Sequence, residues 1–139
     1  MSLGNLPGYI QTLQNWVASI NNAAGQTKQT IATGATNGSR ILGLIVSSTD
    51  TSARDIVIGV TISATNYDLG IVSIPAQSGT LDTVPTVFPF KTTQFPYLPV
   101  DAYGNPYLDI KSTTTFYAYA PVTVTSAKQI NLFAFGGDF

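Results

Sequence analysis

The sequence predicts an all-β protein: an antiparallel β-sandwich or jelly roll with a short N-terminal helix or arm. Three observations carry that expectation. From residue 27 onward, short stretches alternate apolar and polar side chains with the period of a strand. Clusters of Gly, Pro, Asn, Asp and Ser interrupt them about every 8–14 residues, which is the spacing of short strands in sandwiches and barrels. Only 9% of the 139 residues are charged while 44% are hydrophobic, so the chain can fill a core, and its polar surface must be Thr, Ser, Asn and Gln.

The N-terminal stretch reads differently. Gly4, Pro7 and Gly8 make residues 1–8 an irregular arm. Tyr9, Ile10, Leu13, Trp16, Val17 and Ile20 follow at three-to-four-residue spacing, which predicts an amphipathic helix over residues 9–22; an extended arm is the alternative. Asn21, Asn22 and Gly25 supply a stop. The expected division is an arm or helix over residues 1–26 and a β-sandwich over 27–139.

Within the second part, residues 27–33 are a Thr-rich strand, and Asn37-Gly38 carries a hairpin signal. Residues 40–48 place Ile41, Gly43 and Ile45 on one face and Leu42, Leu44 and Val46 on the other, so both faces are apolar and the strand is central. Residues 53–64 alternate Ile56, Ile58, Val60 and Ile62 against Val57, Gly59 and Thr61. Thr65-Asn66 turns the chain and residues 67–74 return. Residues 84–99 hold Pro85, Pro89, Pro96 and Pro99, too many prolines for a central strand. Strands resume at residues 107–110, 113–120 and 128–135, and Gly136-Gly137 ends the last.

The chemistry is narrow. The chain has no His, no Cys and no Glu. This removes imidazole acid–base catalysis, thiol nucleophiles, Ser-His-Asp triads and most zinc sites. No catalytic residue, cofactor or metal ligand set is expected. Asp50 and Asp55 flank a turn and could pair, against the simpler reading of an Asx-turn and a solvated aspartate. Asp101 and Asn105 could offer oxygens to Ca²⁺, against the simpler reading of a turn set by Gly104. Net charge is −1, and Lys28, Arg40, Arg54, Lys91, Lys111 and Lys128 are scattered singly, so neither nucleic acid nor a membrane is expected as a partner. The first residues lack a basic stretch followed by an apolar one, so no signal peptide is expected.

Two apolar sets are candidate interface residues. One is Tyr9, Ile10, Leu13, Trp16, Val17 and Ile20, which could dock on a neighbour or cover the protein's own sandwich. The other is Phe88, Phe90, Phe95 and Tyr97, with Tyr103 and Tyr107 nearby. These aromatics could stack on sugars, bury against a neighbouring subunit or fill the protein's own core.

The phrases Asn37-Gly-Ser-Arg-Ile41, Ile45-Val-Ser-Ser-Thr-Asp-Thr-Ser-Ala-Arg-Asp55, Leu98-Pro-Val-Asp101-Ala-Tyr-Gly-Asn-Pro-Tyr-Leu108 and Ala134-Phe-Gly-Gly-Asp138-Phe139 together resemble small β-sandwich virion proteins of tailed bacteriophages. The resemblance spans residues 27–139 and carries no ligand-binding residues. It implies a non-enzymatic capsid decoration or cement subunit, made in the host cytoplasm and located in the virion. The partners it implies are the major capsid protein or other virion proteins. Further copies of the chain are expected because segment 84–99 is too apolar to lie free in water and too proline-rich for a central strand, with a trimer as first expectation by analogy with decoration proteins. The competing expectations are a carbohydrate-binding tail or receptor-binding module and a minor tail or neck component.

Overall fold

The computed structural model describes residues 10–139. Eight strands run in chain order as β1 (Thr12–Asn21), β2 (Gln29–Thr33), β3 (Ser39–Ser48), β4 (Arg54–Ile62), β5 (Thr65–Ile74), β6 (Leu108–Ile110), β7 (Thr115–Tyr119) and β8 (Gln129–Asp138). They form two four-stranded sheets with the orders β1-β8-β3-β6 and β2-β7-β4-β5. All pairings are antiparallel, and their logic is nested: β4 with β5, β3 with β6, β2 with β7, β1 with β8. A single long antiparallel ribbon makes those four pairs. Rolling it until β3 meets β8 and β4 meets β7 closes the eight-stranded jelly roll. The expected all-β sandwich is thus present, in its jelly-roll form.

The core lies between the sheets. β8 and β3 contribute Ile130, Leu132, Ala134, Ile41, Leu44 and Val46; β4 and β7 contribute Ile56, Ile58, Val60, Phe116 and Ala118. On β4 the expected alternation holds, with Ile56, Ile58 and Val60 inward. On β3 it fails halfway. A bulge between Ile41 and Gly43 inserts one extra residue, which moves the following side chains to the opposite face. Ile41, Leu44 and Val46 therefore all point inward, and Leu42 is left at the surface.

The N-terminal helix is not formed. Residues 12–21 are β1, paired residue for residue with β8 from Thr12 opposite Asp138 to Asn21 opposite Gln129. The only helical turn here is a 3₁₀ turn, Asn22–Ala24, whose last amide donates to the Asn21 side chain. Trp16, Ala18 and Ile20 face the core, and Leu13 and Val17 face solvent. Gln14 also lies on the core side, where its amide donates to the Asp138 carboxylate at 2.8 Å.

Three turns also differ from expectation. Asn37-Gly38 does not close a hairpin, because β2 and β3 lie in opposite sheets; Gly38, at φ +89°, turns the chain from one layer to the other. The β4–β5 hairpin turns at Ser63-Ala64, one pair earlier than expected, with Ile62 opposite Thr65. Both turn residues have positive φ, 51° and 65°, the geometry that Asn-Gly adopts best. β8 runs on through Gly136 and Gly137 to Asp138. There the Arg40 and Thr12 carbonyl oxygens occupy the space a Cβ would need.

Left-handed conformation costs a non-glycine residue roughly 1–2 kcal/mol. The double substitution Ser63→Asn, Ala64→Gly is therefore expected to stabilise the fold by about 1 kcal/mol. That should raise the melting temperature by roughly 3–6 °C in a differential scanning experiment. An unchanged or lower melting temperature would show that this turn is not strained.

Candidate interaction surface

The residues singled out from the sequence separate into buried and exposed sets. Phe90 and Phe95 are 3% and 2% exposed and lie in the core. Phe90 meets Phe95 and Phe116 edge to face at centroid distances of 6.3 and 6.2 Å. Phe90 and Phe95 thus fill the protein's own interior and present no contact surface. Tyr97 lies at the surface. Its hydroxyl donates to the Leu69 carbonyl, and the Gln94 side-chain amide donates to the Ile71 carbonyl at 2.8 Å. This proline-rich segment thus crosses the edge strand β5 and satisfies two of its carbonyls. Phe88 stacks on Phe135 at 6.3 Å. Tyr107 lies under the Arg40 guanidinium at 4.0 Å, which itself pairs with Asp109 at 2.7 Å. Tyr103 projects from the loop, 90% exposed.

Of the N-terminal set, Tyr9 lies outside the described residues. Ile10 sits against Gly137. Trp16 packs partly on the core and Ile20 is completely buried. Leu13 and Val17 are 85% and 71% exposed. The apolar face expected to dock elsewhere is therefore split in two among the described residues: Ile10, Trp16 and Ile20 cover this sandwich, and Leu13 and Val17 face out.

The outward residues belong to a larger surface. Val17, Phe133 and Ile45 stand in one row across β1, β8 and β3. The next row is Asn15, Phe135 and Gly43. A Cβ on Gly43 would collide with the Phe135 ring and lie 2.9 Å from Phe88, so both rings occupy the space above bare backbone. On the other side, Ser19 donates to the Asn131 side chain at 2.9 Å. The outer face of this sheet thus carries an apolar band with no charged side chain in these two rows, bounded by Ser19 and Asn131 on one side and by the Arg40–Asp109 pair on the other.

The outer face of the second sheet carries a tyrosine cluster over β4, while Ile71 on the edge strand β5 stays 59% exposed. Tyr117 lies over Gly59 as Phe135 lies over Gly43. Its hydroxyl donates to Asp68 at 2.5 Å, Tyr119 donates to the same carboxylate at 3.2 Å, and the Lys28 ammonium stands 4.5 Å from the Tyr119 ring. Burial and the Asp68 carboxylate push the Tyr117 phenol above its ordinary pKa. Each polar group in this cluster has a partner.

The aspartates do not form an acid–base pair. Asp50 is fully buried and accepts from the Ser52 amide (2.9 Å), Arg54 Nε (2.8 Å), the Thr125 amide (3.0 Å) and the Thr125 hydroxyl (2.9 Å). Burial alone would raise its pKa, but these donors outweigh it and hold the carboxyl below the ordinary range. A carboxylate with both oxygens occupied and protonation disfavoured is a structural pin. Asp55, exposed on β4, is not one of its partners. The Ser52 contact is the Asx-turn expected from the sequence; the Thr125 contacts could not be read there. Asp101 accepts from the Tyr103 and Asn105 amides at 2.8 and 2.9 Å, with Gly104 at φ +80°, which is the Asx-type turn. Among the described residues, no three acidic side chains come together as a metal site would need. A shallow depression lined by Asn21, Asn22, Ala23, Ala127, Lys128 and Gln129 holds one cation and no carboxylate.

The chain matches no protein-family model and no curated protein sequence.

Proposed function

We propose that this chain is a non-enzymatic structural subunit of a tailed-phage virion, a capsid decoration or cement protein acting through protein–protein contacts. The observation that carries the reading is the uncharged apolar band Val17–Phe133–Ile45 on the outside of a jelly roll. Water-exposed apolar bands of this kind mark contact surfaces. The jelly roll serves viral capsid domains, and also lectins and cupins, so the fold supports the reading by analogy only. The phrase resemblance across residues 27–139 and the 9% charge content point the same way, since a subunit held permanently among neighbours has little need of charge for solubility.

Exposed Tyr103 and Tyr97 favour a second reading, a carbohydrate-binding tail module, because aromatic rings on loops stack on sugars. Quantitative mass spectrometry of purified particles separates the two. Decoration requires hundreds of copies per particle, and a handful would overturn it. Binding on a glycan array that is lost in Tyr103→Ala, with the fold intact, would establish the carbohydrate reading instead.

A further inference from the structure

We propose that a second copy of this chain pairs antiparallel with the outer edge of β1, joining two four-stranded sheets into one of eight strands across a two-fold axis. The four edge strands differ in how they are protected. Unpaired strand edges invite other strands, and proteins blunt them with short length, bulges, prolines, charges or covering loops. β6 has three residues, and further along β3 the same edge is closed by Val87, which exchanges both hydrogen bonds with Val46. β2 has five residues and a bulge between Thr30 and Ala32. β5 has a bulge opposite Ile58/Gly59, and Gln94 and Tyr97 occupy two of its carbonyls. β1 has none of these devices. It runs ten residues, TLQNWVASIN, without charge, proline or register shift. Among the described residues, no hydrogen bond reaches its outer edge.

The ladder fixes which groups wait there. Val46 directs its amide and carbonyl to Val87, so its β8 partner Leu132 must direct its own to β1, where it faces Ala18. Alternation then turns the amides and carbonyls of Leu13, Asn15, Val17, Ser19 and Asn21 to the free edge. A two-fold axis pairs like-directed residues. The register with the fullest overlap sets Val17 against Val17, Asn15 against Ser19 and Leu13 against Asn21. The same residues carry the outward side chains, so pairing extends the apolar band from one copy into the next.

A second copy suits this edge for two reasons. An antiparallel strand edge is complementary to itself, and a contact of that kind closes at two subunits. No like charges meet, because β1 carries none; like charges directly opposite would oppose pairing. Asp138 and Lys128 bound opposite ends of β8, so the acidic end of one copy lies toward the basic end of the other. At three strand spacings, roughly 14 Å, that attraction is largely screened. The contact is a dimer. The trimer expected by analogy would need a different surface, and the dimer does not depend on the virion assignment.

The test uses the full chain, which has no cysteine of its own. Paired Val17 residues would place their Cα atoms about 5.5 Å apart, within disulfide reach. Val17→Cys should cross-link to a dimer under mild oxidation, while Tyr103→Cys should not. Sedimentation should give the unmodified protein twice its 14.7 kDa mass. Val17→Pro should give a monomer with an unchanged spectrum, since the lost N–H faces the free edge and not β8. Val17→Lys, at an exposed position that cannot disturb the core, should do the same by opposing two ammonium groups. A monomeric unmodified chain at its highest soluble concentration would overturn the proposal, leaving the edge to another occupant. So would a dimer that both Val17 variants leave intact.

Discussion

Removal of residues 1–21 should abolish cooperative folding of the sandwich. Among the described residues, β1 alone pairs with one whole side of β8, through ten consecutive residues. Without it, β8 would show water a row of unpaired backbone groups beside Ile130, Leu132 and Ala134, all now completely or almost completely buried. Losing Ile20 alone, as in Ile20→Ala, should cost about 2–5 kcal/mol by transfer and cavity terms. The stability of a whole domain is only about 5–15 kcal/mol, and the deletion also removes the Trp16 and Ala18 contacts and the ladder. Urea titration followed by circular dichroism should show no sigmoidal transition for the truncated chain. A folded product with nearly the original melting temperature would instead make the segment a dispensable arm. Trp16 offers an independent reading, being the only tryptophan. Packed partly on the core, it should emit to the blue of a free indole in the isolated protein and shift to the red when β1 is stripped away by denaturant.

The sequence concealed this strand for an identifiable reason. Ile10, Leu13, Trp16, Val17 and Ile20 satisfy helical spacing, while Trp16, Ala18 and Ile20 satisfy strand spacing, and local periodicity cannot choose between them. Gln14 hides the alternation, because a polar residue at an inward position looks like an interruption. Its partner Asp138 is 124 residues away and could not be seen from the local pattern. The exposure of Leu13 and Val17 completes the disguise. By contrast, β4 was legible because its alternation is uninterrupted and both its neighbours are in the sheet. β3 was legible as a central strand, but its facing was not, since nothing in Ile41-Leu42-Gly43 announces a bulge. The aromatics of segment 84–99 could be read as core, loop contact or sugar platform. Only the folded partners, Phe116 on β7 and the open edge of β5, assign Phe90 and Phe95 to the interior and Gln94 and Tyr97 to capping. The apolar band across β1, β8 and β3 needs the register of strands more than a hundred residues apart, so no local reading reveals it.

Asp50→Ala should be among the most damaging single substitutions in the chain, costing about 3–5 kcal/mol, because it leaves the Arg54 charge and the Thr125 and Ser52 donors without their acceptor. Asp50 ties the β3–β4 turn to Thr125, in the loop before β8, so its loss loosens one end of the sandwich. The effect depends on pH in a fixed direction. Burial opposes the charge, the four donors favour it more strongly, and the folded-state pKa lies below its unfolded value. Above the unfolded pKa, about 3.9, this contribution is fully present; as pH falls below that value toward the folded pKa, it is progressively lost. Urea unfolding at neutral pH and at about pH 3 should therefore show the unmodified protein losing stability with acid more steeply than Asp50→Asn, which has no carboxyl to titrate at this site. The asparagine variant itself should fall between the unmodified protein and Asp50→Ala at neutral pH, since its amide keeps one accepting oxygen. Replacing both partners, in Asp50→Asn with Arg54→Met, should cost less than Asp50→Ala alone, because no buried charge is then left unpaired. Should Asp50→Ala cost under about 1 kcal/mol, or should the acid slope be the same with and without the carboxyl, the pin would be no stronger than an exposed ion pair.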